Sequence, residues 1–526
     1  MSCQCSMPFG SLRPGRLTRV LLLALPTLLA VSTAARSEAA GIPEIDGPVL
    51  RIGYLVPSDR EPNPATVERA AQLLRWYQLW YASEMDRHGY GVRSFPVEVD
   101  AAAVQLDPDR PVPMPAARLR LLTEPSPLPP PDVHVVPLPR PASYYRGDAS
   151  NKKSLLGRVR DDAEAAGVPL GTDGQSWWLL TDMQELQPDG TLAGTHRQGG
   201  VRTANWSGAT VCDVGILPAI TTDALTNDRP YDGLTVPAIG PHPLRFGKSF
   251  KASRGRSVSS VVSATLGSSL HEIGHSLGLV HDFRSDANFR GNLMGNGLRG
   301  FRGWLAPAKY PDDDVRLTTT SARVLSLSPL FADDRADDRR PARFRSAELR
   351  GDGPDGRPQL HLDLEDDHEL ALVFAFVNGR VVAEAPLSGP TQTVSLPFWE
   401  FQPGPARGEV WLLDAGGNLT VRPVGGTIEA PSNRPPRPAL FASALEVTPG
   451  TPVQLDAAES ADPDGGPLQF AWDMNGDGTA DTDFAARPIR TFRQRKAGRY
   501  RVAVVARDRQ GAESVSLPLV IAVRKR

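Results

Sequence analysis

The sequence predicts a multidomain protein in which an α+β domain is followed by two all-β sandwich domains. From Val49 to about Pro307, candidate strands alternate with candidate helices. After residue 343 the helical signals stop, and short runs of alternating apolar and polar residues replace them. Segments rich in charge (326–343) and in proline (426–438) are interpreted as linkers. The predicted domains are therefore residues 41–325, 344–425 and 439–526.

The first 40 residues have the pattern of a cleavable secretory signal. Arg13, Arg16 and Arg19 precede an apolar run at positions 20–31, and small residues follow it. The run contains Pro26 and is shorter than the roughly 20 residues that span a bilayer. We therefore expect a secreted protein, extracellular or periplasmic, whose mature chain has no stable membrane anchor.

Composition excludes some partners and one means of stabilisation. With a net charge of -2 and 22% charged residues, the chain lacks the strongly positive electrostatic field that attracts nucleic acid. After signal cleavage Cys212 is the only cysteine, so an intramolecular disulfide is impossible. Because the surrounding VCDVGIL has the pattern of an internal strand, Cys212 is expected to lie in the core.

The first domain is predicted to contain a mixed sheet, a long helix and a metal-binding helix. Arg51–Val56 has the pattern of a strand, and 63–87 and 152–166 have the pattern of helices. Further strands are expected at SWWLLTDM and VCDVGIL. The metal-binding helix follows them and is expected to begin between Val261 and Leu266.

The segment HEIGHSLGLVH, residues 271–281, carries the main chemical signal of the chain. On a helix, His271 and His275 lie one turn apart on one face and can ligate the same metal ion. Gly278 can adopt the left-handed conformation that ends a helix, which allows the chain to turn and bring His281 back as a third ligand. Glu272 lies to one side of the ligands, where it can hold a water molecule. Three protein ligands and one open position are typical of a single catalytic Zn²⁺.

This motif resembles the active-site signature of the metzincin clan of zinc metallopeptidases, HExxHxxGxxH. Metzincins also have a methionine in a tight turn after the third histidine, and Met294 lies in such a sequence, Asn-Leu-Met-Gly, thirteen residues after His281. An ordinary core position is the alternative for Met294. Asp282, directly after the third histidine, resembles the adamalysin and reprolysin branch. The resemblance implies a metzincin-like catalytic domain.

Two functions are compatible with these observations. The first is a secreted zinc endopeptidase in which Glu272 acts as general base on a protein or peptide substrate, with extracellular matrix and cell-surface proteins as the classes considered. The second is an adhesin or substrate-binding protein whose metzincin-like domain is catalytically silent. The glutamate of the motif favours the first function.

The region 344–425 is predicted to be a β-sandwich because apolar alternation recurs between glycine-containing turns such as Asn378-Gly379. The region 439–526 resembles a PKD-type, immunoglobulin-like domain. The residues that carry this likeness are 455–478 and 498–511, and Trp472 is expected in the core of the sandwich.

The PKD-like region also contains acidic residues at calcium-loop spacing. Asp473, Asn475, Asp477 and Asp481 fit positions 1, 3, 5 and 9 of such a loop, but Phe484 occupies the position at which an EF-hand has a bidentate glutamate. A turn rich in Asp and Asn is the alternative. Ca²⁺ is therefore a second candidate cofactor.

Overall fold

The computed structural model describes residues 41–107, 118, 120, 126–146, 154–183, 185–186, 191–193, 199–202, 206–213, 222–230, 235–239, 242–246, 257–282, 291–332, 338–351, 357–399, 401–429, 433–476 and 479–525. All of them belong to one structural unit, Ala40–Arg526. The predicted signal segment 1–40 lies outside the described residues. Within the described ranges, no helix has both the length and the apolar character needed to cross a bilayer.

The N-terminal domain is an α/β structure. Its helices are α1 Pro64–Arg87, α2 Ala142–Arg146, α3 Ser154–Ala165, α4 Thr222–Thr226, α5 Val258–Ser276, α6 Phe301–Leu305 and α7 Thr319–Ser326, with a 3₁₀ turn η1 at Asn296–Gly300. Its strands are β1 Val49–Val56, β2 Val97–Val99, β3 Ala102–Val104, β4 Val133–Pro137, β5 Gln175–Thr181, β6 Glu185–Leu186, β7 Thr191–Ala193, β8 Gly199–Arg202, β9 Gly208–Asp213, β10 Thr235–Ile239 and β11 His242–Phe246.

The main sheet has the strand order β3-β2-β1-β5-β9-β8, and β4 also pairs with β1. Strands β1, β5 and β9 are parallel, whereas β8 is antiparallel to β9 at the edge. Every residue of β1 and β5 is buried, as expected for parallel strands covered on both faces. One face packs against α1 and α5, and the other packs against α2 and α3. A smaller sheet, β10-β11-β7-β6, lies in the same domain.

The two long helices begin at polar caps. The Asn63 side chain accepts a hydrogen bond from Ala65 N, and proline occupies the first turn of α1, close to the predicted start. Helix α5 begins at Val258, before the predicted window of 261–266. The difference arises because Ser257 and Ser260 form a reciprocal capping box that satisfies the first free N–H groups.

The second region, 344–425, forms two packed antiparallel sheets. Their orders are β12-β13-β16 and β15-β14-β17-β18. Strand β14 is buried on both faces: Val373 and Ala375 face the sandwich core, while Leu372 and Phe374 join the core of the N-terminal domain. The strands are β12 Arg343–Arg350, β13 Gln359–Glu365, β14 Leu370–Val377, β15 Arg380–Pro386, β16 Thr391–Pro397, β17 Gly404–Asp414 and β18 Leu419–Ile428.

The C-terminal region forms a second sandwich from the sheets β19-β21-β23 and β20-β26-β24-β22, with β25 paired to β24. Trp472 is 3% exposed and lies in its core. The strands are β19 Phe441–Ala442, β20 Glu446–Val447, β21 Val453–Asp456, β22 Gln469–Asp473, β23 Ile489–Phe492, β24 Gly498–Arg507, β25 Glu513–Val515 and β26 Leu519–Val523.

The domains contact one another directly. Leu330 and Phe331, within the predicted linker 326–343, are buried in the N-terminal core. At the end of α1, Asp86 forms ion pairs with Arg499 and Arg524 of the C-terminal sandwich. The first domain is therefore packed against both β-domains.

Candidate metal centre

Helix α5 contains the first two histidines, and the chain turns away from the helix at a glycine. Gly278 has φ +92°, so the chain turns there as the sequence predicts. A Cβ at this position would lie 2.5 Å from the ring of Trp206, so no larger residue fits without movement. Ser176 Oγ of β5 donates to Ser276 O at 2.9 Å and satisfies one of the last helical carbonyls. The sheet therefore fixes the end of the helix from which His281 emerges.

The three imidazoles converge through their Nε2 atoms. His281 Nε2 lies 3.2 Å from His271 Nε2 and 3.1 Å from His275 Nε2. Zinc–imidazole bonds of about 2.0–2.1 Å in tetrahedral geometry place ligand nitrogens about 3.3–3.4 Å apart. The donor set present therefore fits one zinc ion.

Backbone carbonyls hold two of the rings in the orientation that a metal ligand needs. His271 Nδ1 lies 2.7 Å from Leu293 O, and His275 Nδ1 lies 2.9 Å from Leu279 O. A carbonyl oxygen can only accept, so Nδ1 carries the proton and Nε2 presents its lone pair. Each ring is thereby fixed in one tautomer.

Burial keeps these imidazoles neutral. The pKa of His271 is well below its usual value because the ring is buried and because His275 and His281 lie beside it. Burial, with His281 as the second cause, lowers the pKa of His275 to about 3, and burial lowers the pKa of His281. Neutral imidazole is the form that binds metal, so the pocket favours the ligating state.

Glu272 follows His271 on α5 and is half-buried. Its charge acts on Cys212 of β9: burial is the main cause that raises the pKa of this thiol to about 12, and Glu272 is the second. Cys212 is 1% exposed and therefore lies in the core as a neutral thiol. It is suited neither to attack a substrate nor to compete with the histidines for metal.

Met294 lies in a turn beneath α5. It is fully buried, and a Cβ on Gly274 would lie 2.7 Å from its sulfur, so the glycine within the motif allows the thioether to approach the helix. Its backbone O accepts from Asp282 N at 3.1 Å. The Asn292 side chain completes the connection, since Nδ2 donates to Asp282 O at 2.8 Å and Oδ1 accepts from Met294 N at 3.0 Å.

This turn therefore positions two ligands at once. Leu293 O fixes His271, and the bonds to Asp282 fix the residue next to His281. Sequence reasoning identified Met294 but missed Asn292 and Leu293, which act through an amide and a backbone carbonyl. The Asn and Gly near Met294 predict the turn itself, whereas a backbone carbonyl acceptor has no sequence signature.

Helix α1 supports α5 along its length. Tyr77 OH donates to Leu266 O at 2.8 Å, and Tyr81 OH donates to Leu270 O at 3.3 Å. Both pairs are separated by 189 residues, so the helices run parallel in register. The sequence signal for this contact is the tyrosine pair one turn apart in YQLWY.

A buried ionic cluster around Glu84 fixes the segment at Arg316 and Leu317, which bonds to the residues before Met294. Glu84 accepts from Arg87 Nη2 at 2.7 Å, Arg316 Nη1 at 3.0 Å and Leu317 N at 2.8 Å. Burial would raise the pKa of Glu84, but the charges of Arg87 and Arg316 outweigh it and lower that pKa to about 2. Burial and then the Arg87 charge lower the pKa of His88 to about 3.

The cluster connects to the metal centre through the backbone. Arg316 O accepts from Leu293 N at 2.9 Å, and Arg316 N donates to Gly291 O at 2.6 Å. These two bonds hold Arg316 beside the segment Gly291–Leu293, which precedes Met294. The carbonyl that orients His271 therefore belongs to a residue anchored by a buried ion pair.

Strand β8 forms the open edge of the main sheet next to α5. Within the described residues its only partner is β9, to which it is antiparallel. No other described strand pairs with β8, and an edge strand that lacks a second partner can accept an added strand through its backbone groups.

The predicted calcium-loop residues are only partly described. Asp473 Oδ1 accepts from Asn475 N at 3.1 Å and from Gly476 N at 2.6 Å, and Asp481 Oδ2 accepts from Met474 N at 2.6 Å. These bonds are those of an Asp-rich turn. Asp477 lies outside the described residues, and calcium binding at this loop stays a prediction.

Comparison with known proteins identifies similar solved structures. Among solved structures, the chain is similar to OgpA from Akkermansia muciniphila, with 14% identity, a TM-score of 0.40 and coverage of 73% of this chain and 95% of OgpA. A catalytically inactive OgpA in complex with an O-glycopeptide substrate gives 14% identity, a TM-score of 0.41 and coverage of 73% and 94%.

The PKD1 domain of Vibrio anguillarum Epp is also similar, with 21% identity, a TM-score of 0.15 and coverage of 18% of this chain and all (100%) of that domain. No curated protein matches the sequence. The family model of the PKD domain matches residues 433–523. The predicted PKD domain is thereby confirmed.

Proposed function

We propose that this protein is a secreted, zinc-dependent endopeptidase of the metzincin type. The observation that carries the proposal is the convergence of three histidine Nε2 atoms, 3.1–3.2 Å apart around His281, with two of the rings fixed through Nδ1 by backbone carbonyls. Ligands held in one tautomer on packed elements are preorganised to bind zinc. A secretory route stays a prediction from residues 1–40.

The chemistry follows from the residues around this centre. When bound, zinc supplies a Lewis acid that polarises a peptide carbonyl and acidifies water. Glu272 accepts the proton of the attacking water and passes it to the leaving amine, because it is the carboxylate adjacent to the first ligand. The neutral thiol of Cys212 supplies no competing nucleophile. No covalent enzyme intermediate is required.

The open edge of β8 supports an extended substrate. A peptide that pairs antiparallel with β8 gains backbone hydrogen bonds that do not depend on its sequence. Such pairing would place the peptide along the edge of the sheet beside α5, where Glu272 and the histidines lie. We therefore expect an endopeptidase rather than an enzyme restricted to chain ends.

A binding protein with a silent catalytic domain is the second candidate. It is favoured by the PKD domain at 433–523 and by the preceding β-sandwich, which together make up much of the chain. This candidate predicts binding to a protein partner without cleavage. It leaves the presence of Glu272 unexplained.

The test is hydrolysis by the zinc-loaded full chain, compared with Glu272→Gln. The substrates are an unstructured protein and an O-glycosylated peptide, so that a strict specificity is not mistaken for inactivity. Glu68→Gln is the matched control, because Glu68 is an exposed glutamate on α1. We expect cleavage by the wild type and the control, loss after chelation, and recovery when zinc is restored.

We expect Glu272→Gln to bind zinc normally but to lose at least about 100-fold in activity, the usual contribution of a general base. Equal cleavage by Glu272→Gln would overturn the proposed mechanism. A wild type that holds one zinc per chain, binds protein partners and cleaves nothing would favour the binding protein.

A further inference from the structure

Three aspartates converge at one end of the first β-sandwich, far apart in sequence. Asp338 precedes β12, Asp366 lies in the turn between β13 and β14, and Asp414 is the last residue of β17. One carboxylate oxygen from each lies within 4.8 Å of the other two. Their spacing in the sequence gives no indication that they meet.

Two oxygens of this cluster are buried and receive no hydrogen bond from the described part of the chain. Asp338 Oδ1 accepts from Arg340 N at 2.9 Å, which leaves Asp338 Oδ2 for the cluster. This Oδ2 and Asp366 Oδ1 are both buried and have no hydrogen-bond partner among the residues that the structure describes. Asp338 is only 6% exposed, so water does not substitute freely for the missing donor. An unpartnered buried carboxylate oxygen is costly, and three adjacent carboxylates also repel one another.

The cationic side chains described nearby, Arg340 and His368, are exposed and compensate this charge only weakly. Arg340 pairs with Asp367 at 3.0 Å, and its side chain is 83% exposed. His368 Nδ1 lies 3.6 Å from Asp338 Oδ2, beyond hydrogen-bond distance, and its side chain is 56% exposed. The Asp414 carboxylate accepts hydrogen bonds from Asn418 and from Ala342 N, but none of these donors reaches Asp338 Oδ2 or Asp366 Oδ1.

We propose that Asp338, Asp366 and Asp414 bind a calcium ion. A donor set made only of carboxylate oxygens suits a hard cation, and Ca²⁺ accepts oxygens at about 2.3–2.6 Å in flexible geometry. Oxygens within 4.8 Å of one another lie within reach of one such ion. The ion would neutralise the cluster and give both unpartnered oxygens a ligand.

The site also stabilises the turn that contacts the first domain. Asn418 Nδ2 donates to Asp338 O at 3.0 Å and to Asp414, so the turn after β17 closes over the cluster. Gly417 O in this turn accepts from Trp206 Nε1 at 2.7 Å. Trp206 in turn packs on Gly278, near the candidate zinc ligands. Calcium binding therefore orders the surface on which the end of α5 rests.

The experiment is calcium titration of the full chain by isothermal calorimetry, with thermal unfolding in calcium, in magnesium and in chelator. Stoichiometry is compared between the wild type and variants, because the PKD domain contains a separate calcium-loop candidate. We expect Asp338→Asn and Asp366→Asn each to bind one calcium fewer per chain and to lose most of the calcium-dependent rise in Tm.

The controls locate the site. Asp363→Asn, on β13 and outside the cluster, should retain the full stoichiometry. Asp366→Asn keeps an oxygen for the bond that Asp366 Oδ2 accepts from His368 N, so we expect this variant to fold. Loss of the ion in Asp367→Asn but not in Asp366→Asn would place it between Asp338, Asp367 and His368 and overturn the proposal. Unchanged stoichiometry in both Asp338→Asn and Asp366→Asn would also overturn it. Because binding and Tm are measured, the result is independent of peptidase activity.

Discussion

Replacement of Gly278 by alanine tests how the turn after α5 forms the candidate zinc centre. Gly278 combines φ +92° with a position directly under the Trp206 ring. Alanine in a left-handed conformation costs roughly 1–2 kcal/mol. Its Cβ would also lie 2.5 Å from Trp206 Cζ3, and overpacking of this kind costs about 1–3 kcal/mol. The free energy of unfolding should therefore fall by about 2–5 kcal/mol.

Gly171→Ala is the matched control, because Gly171 has φ +86° but open space where its Cβ would lie. Only the backbone cost applies there, so we expect a loss of roughly 1–2 kcal/mol. The assay is urea unfolding of both variants, followed by circular dichroism. Zinc affinity is measured in parallel by competition with a chelator.

We expect lower zinc affinity in Gly278→Ala, because His281 follows the distorted turn, and unchanged affinity in Gly171→Ala. Equal losses of stability in the two variants would refute the role assigned to Trp206. A double-mutant cycle with Trp206→Leu tests the same contact, since the two substitutions should be coupled and not additive.

Three further predictions concern the support of the centre. Asn292→Ala removes the side chain that joins Met294 to Asp282, so zinc affinity should fall about 10–100-fold, as for other residues that orient ligands. The control variant Asn296→Ala should bind zinc normally. Equal zinc affinities of the two variants would contradict the role of Asn292. Tyr77→Phe should lower the free energy of unfolding by about 1 kcal/mol in urea titration, because one buried hydrogen bond to α5 is lost; an unchanged midpoint would argue against that bond. Glu84→Gln should cost roughly 3–5 kcal/mol at pH 7, because it removes the buried carboxylate that pairs with both Arg87 and Arg316.

The pH dependence of stability provides a second readout for Glu84, in the same urea titrations. Its folded pKa of about 2 lies below the usual value of 4.5, so its contribution is fully present above pH 4.5 and is lost as pH falls toward 2. His88 acts in the same direction, since its folded pKa of about 3 lies below 6.5 and the unfolded chain binds the proton more tightly. Glu84→Gln should lose less stability than the wild type between pH 4.5 and 2. Parallel curves would contradict the assignment.

Local periodicity accounts for the parts of the site that sequence reasoning identified. His271 and His275 share a helix face because they are four residues apart, and Gly278 permits the turn that brings His281 back. These relations extend over only eleven residues, so no distant contact is needed to infer them. The helix start was placed wrongly, because the Ser257 and Ser260 capping box lies before the apolar residues that marked the helix.

The support of the site could not be inferred in this way. Leu293 O, Asn292 and Trp206 act across separations that depend on how the chain returns to α5, and carbonyl acceptors have no sequence signature. The aspartate cluster of the first sandwich is similar, since Asp338, Asp366 and Asp414 come from three separate segments. None of these three aspartates is distinguished by its local sequence.

By itself, the sequence determined the identity of the PKD region and predicted the three histidines that could hold a metal ion, because helix periodicity, turn chemistry and strand alternation are local properties. Tertiary structure alone decided which tautomer His271 and His275 adopt, that Gly274 and Gly278 leave no room for a side chain, and which carboxylates meet in the first sandwich. Hydrogen bonding, close packing and charge burial depend on distances between segments remote in sequence, and only the folded chain sets those distances.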